Sequence, residues 1–287
     1  MQKTYLTFLM LISLSSSASD GLEVPITIEK DIYEYAQTLL GSQSPLTIEH
    51  FQHEVCQRDV VDFILVQRAI ELGGLKLQFE FELGNYDARN LRLLKDGLLL
   101  ISFDTVWYSD AAQYEDEVYI SDPIIRKGEY FAGIFTSPAR IDELSQKITS
   151  DLSRVSIVSS QAWYVDWKTI NALKPNTLVD ESDWIVMAKM VSRGWVDVML
   201  VPFTNHPPYE YQGTGYKIEA IPHLKVALLD SRHFVVSKKH PLGSNTFQAL
   251  QTGLSILRKT GFIERAYQEC GFLNRDVSHW KTLDPRK

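Results

Sequence analysis

Residues 59–83 constrain the fold more than any other stretch of the chain. Over 59–73 (DVVDFILVQRAIELG) apolar side chains recur at helical spacing, and the run stops on Gly73-Gly74, a helix-ending signal. Directly afterwards the period drops to two. Leu75, Leu77, Phe79, Phe81 and Leu83 point one way and Lys76, Gln78, Glu80 and Glu82 the other, which predicts a strand. Asp87 to Lys95 predicts a short helix leaving through Asp96-Gly97. Leu98 to Phe103 (LLLISF) is a continuous apolar run, as expected of a strand buried on both faces. Helix, strand, helix, strand in this order predicts a parallel sheet with right-handed crossovers.

The same alternation resumes further on. Tyr130 to Phe135, Arg154 to Val158 and Trp195 to Val201 read as strands; Ile141 to Leu152, Tyr164 to Leu173 and Trp184 to Ser192 read as helices. The last part holds a predicted strand pair, 225–229 (KVALL) and 233–237 (HFVVS), then a helical stretch from Thr246 to Cys270. Before all this, Ile28 to Leu40 looks helical and precedes a candidate first strand at Leu46 to Phe51. A chain of 287 residues, 45% hydrophobic and 23% charged, has material for two medium domains. No internal repeat of 20–50 residues is visible.

The N-terminus reads as an export signal. Lys3 supplies the positive end, Tyr5 to Leu14 an apolar core too short to anchor in a bilayer, and Ser16-Ser17-Ala18 the small residues of a cleavage site. Residues 1–18 are therefore expected to be a signal peptide cut after Ala18, leaving an exported, periplasmic protein. No cysteine follows the apolar core to carry a lipid. The net charge is −7, which argues against a nucleic-acid partner, since such proteins need a basic face. Cys56 and Cys270 suit an oxidising compartment. They either form one disulfide, stabilising the fold through the long loop it closes, or remain two separate buried thiols.

This order of elements resembles the periplasmic solute-binding proteins of the amino-acid-binding type (family 3), over about residues 59–272. The matching pieces are 95–100 (KDGLLL), 120–124 (ISDPI), the crossing strand Glu129 to Phe135, 155–160 (VSIVSS), 194–200 (GWVDVML), 234–239 (FVVSKK), and the closing helices Ala249 to Gly261 and Ile263 to Tyr267. The resemblance implies a two-lobe α/β fold of the type II periplasmic-binding kind, with a hinge of two crossing strands. Lobe 1 would be residues 19–126 plus 226–287, and lobe 2 residues 127–225. It further implies a monomer that closes on a small-molecule solute and then docks on a membrane permease or a sensor kinase. No cofactor and no metal are expected.

Ligands of open α/β sheets lie beyond the carboxyl ends of the strands. That selects the loops 104–109 (DTVWYS), 159–163 (SSQAW) and 202–205 (PFTN). The candidate ligand-binding residues are Asp104, Trp107, Tyr108, Ser159, Ser160, Trp163 and Phe203. The resemblance also implies an arginine after the lobe 1 strand and an aspartate after the third lobe 2 strand, gripping the two charges of an amino acid. Here no arginine stands between Asp104 and Asp122, and Pro202-Phe203 replaces the aspartate. An aromatic clamp of Trp107, Tyr108, Trp163 and Phe203 is the expected substitute.

His50, His53 and Glu54 carry a zinc-like spacing but lack a third ligand set. Asp110, Glu115, Asp116 and Glu117 read as a solvated acidic loop. No nucleophile elbow, phosphate loop or zinc-protease motif occurs. Two other functions stay open: a scaffold or signalling protein with a degenerate cleft, and a dehydratase-like enzyme using Asp104 with Glu82 or Glu129 as an acid/base pair.

Overall fold

A computed structural model describes residues 22–84, 87–148, 151–204 and 206–284, except for the side chains of residues 87 and 88. The export-signal reading of residues 1–18 lies outside the described residues.

The elements of the first part are β1 (Leu22–Glu29), α1 (Lys30–Leu40), α2 (Arg58–Leu72), β2 (Leu77–Gly84), α3 (Asp87–Asp96), β3 (Val106–Trp107), α4 (Tyr108–Ala111) and β4 (Val118–Ile120). The second α/β unit holds β5 (Phe131–Thr136), α5 (Ile141–Lys147), β6 (Ser156–Ser159), α6 (Tyr164–Ala172), β7 (Thr177–Asp180), α7 (Trp184–Ser192) and β8 (Val198–Val201). The return comprises β9 (Glu210–Gly213), β10 (Tyr216–Ala227), β11 (Arg232–His233), β12 (Val235–Ser237), α8 (Gly243–Lys259), α9 (Phe262–Glu269) and β13 (Lys281–Leu283).

The period-two stretch is a strand, and its partner is β1, parallel and in register from Leu22↔Leu77 to Glu29↔Gly84. Between them the chain runs through α1 and α2. The strand expected at Leu46 to Phe51 does not form. Its residues make a turn, with Ile48 N–H bonded back to Ser44 O at 3.2 Å, and Ile48 and Phe51 serve as buried plugs. The true first strand carries its own signal, Val24, Ile26 and Ile28 alternating inward, which the helical look of the following residues obscured. Pro25 is tolerated because this two-stranded sheet leaves it at an edge.

The LLLISF run is buried from Leu99 to Phe103 but is not a regular strand. It touches β12 through one antiparallel bridge, Ile101↔Val236. The Ser102 hydroxyl, not a carbonyl, accepts Val235 N–H at 3.0 Å, so the ladder cannot propagate. The predicted strand pair of the return does not exist either. The first stretch lies in β10, paired with β5, while β11 pairs with β3 and β12 with β4.

The main sheet has seven strands ordered β13-β10-β5-β8-β6-β7, with β9 against β10. It is mixed, not parallel: β6 runs parallel to β7 and β8, while β5 runs antiparallel to β8 and β10. Three predicted elements are shorter or broken. Helix α5 stops at Lys147, β8 starts only at Val198, and the last helical stretch divides at Gly261, whose φ of 72° a helix cannot hold. Strand β10 also forms the second half of a hairpin with β9 around Thr214-Gly215.

Helices α2 and α8 pack unusually closely. A Cβ on Gly253 would stand 1.8 Å from Ala69 O, and one on Gly73 1.9 Å from Ala249 O, so each backbone occupies the space a side chain would need. Cys56 and Cys270 are bonded, their Cα atoms 5.2 Å apart, tying the lead-in of α2 to the end of α9. A smaller hydrophobic cluster lies between α7 and the main sheet. Val277 and Trp280, from the C-terminal segment, belong to it.

Candidate functional site

Helix α2 begins at Arg58, and its first two turns carry Asp59 and Asp62. Spacing of four brings the Arg58 guanidinium back onto Asp62, Nη1 to Oδ2 at 2.8 Å, while Nη2 pairs with Asp59. Asp62 is fully buried, and its carboxylate also accepts Thr105 N–H at 2.9 Å, the Thr105 hydroxyl at 2.8 Å, and the Tyr267 hydroxyl of α9. Burial pushes the Tyr267 hydroxyl well above its ordinary range, so it stays a donor.

Strand β3 pairs antiparallel with β11, which sets Arg232 directly opposite Trp107. On one face of such a pair the side chains meet, and the Arg232 guanidinium lies 4.2 Å above the Trp107 ring. One of its nitrogens donates to Thr105 O. Among the described residues no carboxylate lies within ion-pair distance of Arg232. Burial, and then the nearby charge of Arg58, hold its pKa below the usual arginine value. It remains a cation with donors to spare.

Arg58, Asp59, Thr105, Trp107 and Arg232 line one cavity of about 1550 Å³, with Asp62 and Tyr267 packed behind them. Its walls come from the first part of the chain (Asp104, Trp107), the second unit (Trp163, Asp166) and the return (Arg232, Phe272). Two carboxyls on its wall hold their protons unusually well. Burial raises Asp104 to about 7, with the charge of Asp59 adding to the effect and Arg58 opposing it. Burial raises Asp166, in the first turn of α6, to about 6, against the pull of Arg232 and Arg58. Tyr130 completes an aromatic wall, its ring stacked on Phe272 at 4.4 Å and 6.5 Å from Trp107.

Four of the seven residues named from sequence line this cavity: Asp104, Trp107, Trp163 and Phe203. Phe203 is only 3% exposed, its ring locked among Phe135, Tyr209 and Trp280. Tyr108, Ser159 and Ser160 are not among the lining residues. Tyr108 faces solvent with its ring 5.5 Å from His233, and the two serines are buried. The Ser160 hydroxyl accepts Ala162 N–H at 3.2 Å within its own turn.

The sequence reading missed Arg58, Arg232, Asp166 and Tyr130. No arginine stands between residues 104 and 122, but two others, from α2 and β11, line the cavity. The i,i+4 pair Arg58/Asp62 at a helix start was a readable signal; nothing local marks Arg232. Neither Glu82 nor Glu129 lines the cavity, so the acid/base pairs considered for Asp104 are not assembled. Glu129 instead accepts Arg126 N–H at 2.8 Å. Among the described residues no group of three His, Cys, Asp or Glu gathers to hold a metal, and no helix is long and apolar enough to cross a membrane.

No protein-family model matches the chain, and no curated protein does. Solved structures match it along most of its length. The probable amino-acid ABC transporter extracellular-binding protein YtmK of Bacillus subtilis is 12% identical with a TM-score of 0.54, covering 88% of this chain and 99% of its own. An amino acid ABC transporter substrate-binding protein from Streptococcus pneumoniae, bound to L-arginine, is 11% identical with a TM-score of 0.51, covering 89% and 94%. The periplasmic VFT2 domain of Bordetella pertussis BvgS is 13% identical with a TM-score of 0.50, covering 90% and 93%. The chain has the two-lobe α/β fold of the periplasmic solute-binding proteins of the amino-acid-binding type.

Proposed function

We propose that the protein is an exported receptor that captures a small polar solute in the cavity between its lobes, for ABC-type uptake or for sensing, and does no chemistry on it. The observation that carries this reading is Arg232: a half-buried guanidinium, braced by Trp107 and Thr105, with donors left over on the wall of a large cavity. A carboxylate or similar anion would satisfy it, and charge-assisted bonds of that kind contribute about 1.5–3 kcal/mol each. Asp104 and Asp166 offer the complementary anchor for an ammonium or hydroxyl group, and Trp107 and Trp163 the flat surface for the body between. Phe203 lines the same cavity, its ring held by Phe135, Tyr209 and Trp280.

Closure would bring residues 19–126 plus 226–287 and residues 127–225 together about β5 and β10, which connect them. The working partner would be a membrane permease or a sensor kinase, and the working place the periplasm. The protein is expected to act as a monomer and to need no cofactor.

The test is thermal melting of residues 19–287 against amino acids, amines, sugars and organic acids. A true ligand at ~100 times its dissociation constant adds ~2.7 kcal/mol to the folded state. The rise in melting temperature should be lost in Arg232→Ala and reduced in Trp107→Ala. A library without a single hit on a folded protein shifts the weight to a scaffold protein with a vestigial cleft.

A further inference from the structure

We infer that Asp62 is the positioning residue of this cavity: it sets the orientation of both cavity arginines by fixing the one residue on which they converge. The inference rests on the solute-receptor reading above. Thr105 is the joint. Its N–H and its hydroxyl both donate to Asp62 Oδ2, at 2.9 and 2.8 Å. Those two bonds pin the backbone N–H and the side chain of Thr105, and the β3–β11 pairing that begins at Val106 sets the peptide plane that carries its carbonyl. Two guanidinium groups meet on that carbonyl: Arg58 Nη1 at 3.4 Å and a terminal nitrogen of Arg232. The Thr105 hydroxyl also accepts from Arg58 Nη1 at 3.0 Å.

Two cations sharing one carbonyl repel each other, so the arrangement needs negative charge close by. Asp62 supplies it without facing the cavity. Its Oδ1 is closed off by Tyr267, and the residue is fully buried. A solvated carboxylate would do the electrostatics but not the aiming. A buried carboxylate with both oxygens occupied cannot turn, so Thr105 cannot either. Arg232 makes no hydrogen bond to Asp62, yet the hydrogen bond its guanidinium makes among the described residues ends on Thr105. Its other brace, the Trp107 face, resists tilting but leaves the guanidinium free to slide in its plane. The in-plane position of the solute-facing donors is therefore read from Thr105, and through it from Asp62.

Three elements distant in sequence join at this point: α2, the segment before β3, and α9. The Cys56–Cys270 disulfide, which also lines the cavity, ties the lead-in of the first to the end of the last. The node is thus held covalently on the side where two of its members approach each other.

The experiment uses the full mature chain labelled with 15N. The Nε–H signals of Arg58 and Arg232 are assigned with Arg58→Lys and Arg232→Lys. In Asp62→Asn the Arg232 signal should shift or broaden although Asp62 does not touch it, and acetate and L-arginine, as probes, should bind about tenfold more weakly. Met187→Ala, a cavity in the core beside α7, destabilises the fold without touching the node and should leave both signals in place. An Arg232 signal unchanged in a folded Asp62→Asn protein overturns the inference. If that variant does not fold, Thr105→Val removes only the hydroxyl link and Tyr267→Phe only the lock on Oδ1; unchanged Arg232 signals in both overturn it equally. Failure of the receptor reading looks different: ordered arginine signals in the wild type that neither probe perturbs.

Discussion

At the residue scale the consequence that can be measured most directly belongs to Asp104. Burial, with Asp59 nearby, raises its carboxyl to about 7 in the folded protein, against an ordinary value of 3.8. The folded chain then holds a proton that the unfolded chain has released. Stability must fall as pH rises from about 4 to about 7, and the loss is complete above that window. Asp104→Asn removes the titration. Its urea midpoint should exceed that of the wild type at pH 8 and converge with it below pH ~4; a variant that is less stable at pH 8 contradicts the assignment. Binding carries the opposite sign. A cationic group on the solute needs ionised Asp104 and Asp166, so its affinity should drop as pH falls from about 7 through about 6. Isothermal titration with a cationic hit at pH 8 and pH 5.5 checks this, and an anion held by Arg232 alone should show no such loss.

At the scale of elements the α2–α8 contact and the disulfide hold helix α2, whose first turn lines the cavity. Gly253→Ala would drive a methyl group into the Ala69 carbonyl, 1.8 Å away, where backbone cannot yield cheaply. Overpacking of this kind costs about 1–3 kcal/mol or more, and urea unfolding should show the loss with an unchanged slope. Removing the disulfide in a Cys56→Ser, Cys270→Ser double variant should cost about 5 kcal/mol on the chain-entropy model. The same variant should weaken solute binding if the node around Asp62 depends on the clamp; unaltered affinity would confine the bond to a stability role. Legibility also divides at this scale. Strand β2 and helix α7 were readable because each turns one periodic face to a neighbour, and helix α2, buried all round from Val60 to Val66, because its apolar run ends on Gly73-Gly74. The LLLISF segment and residues 46–51 were not. An apolar run says that a segment is buried, not whether its backbone is paired, and Ser102 ends the ladder with a hydroxyl that sequence shows only as a serine.

At the scale of the whole molecule the cavity is built from parts more than a hundred residues apart. Solute capture at such a site should draw the lobes together, so small-angle scattering with and without a melting-temperature hit should show a smaller radius of gyration in the bound state. A radius that does not change would speak for a rigid pocket. Lys225 fixes the C-terminal segment in place. It is buried in β10, donates to Val277 O at 2.7 Å and Ser278 O at 2.8 Å, and so straps the C-terminal segment to the strand that joins the two halves.

Taken by itself, the sequence determined the alternation of helices and strands, hence the α/β class, and pointed to the segments after the LLLISF run and after β6. Asp104, Trp107 and Trp163 were reachable that way because the ends of apolar runs and the starts of helices are local events. Only the tertiary structure decided which charges meet. Arg58, Thr105, Arg232 and Asp166 acquire their roles from the β3–β11 pairing, the α2–α9 clamp and the placing of α6 against them. Pairing is a property of two segments at once, so no single segment's spacing, charge or hydropathy records it.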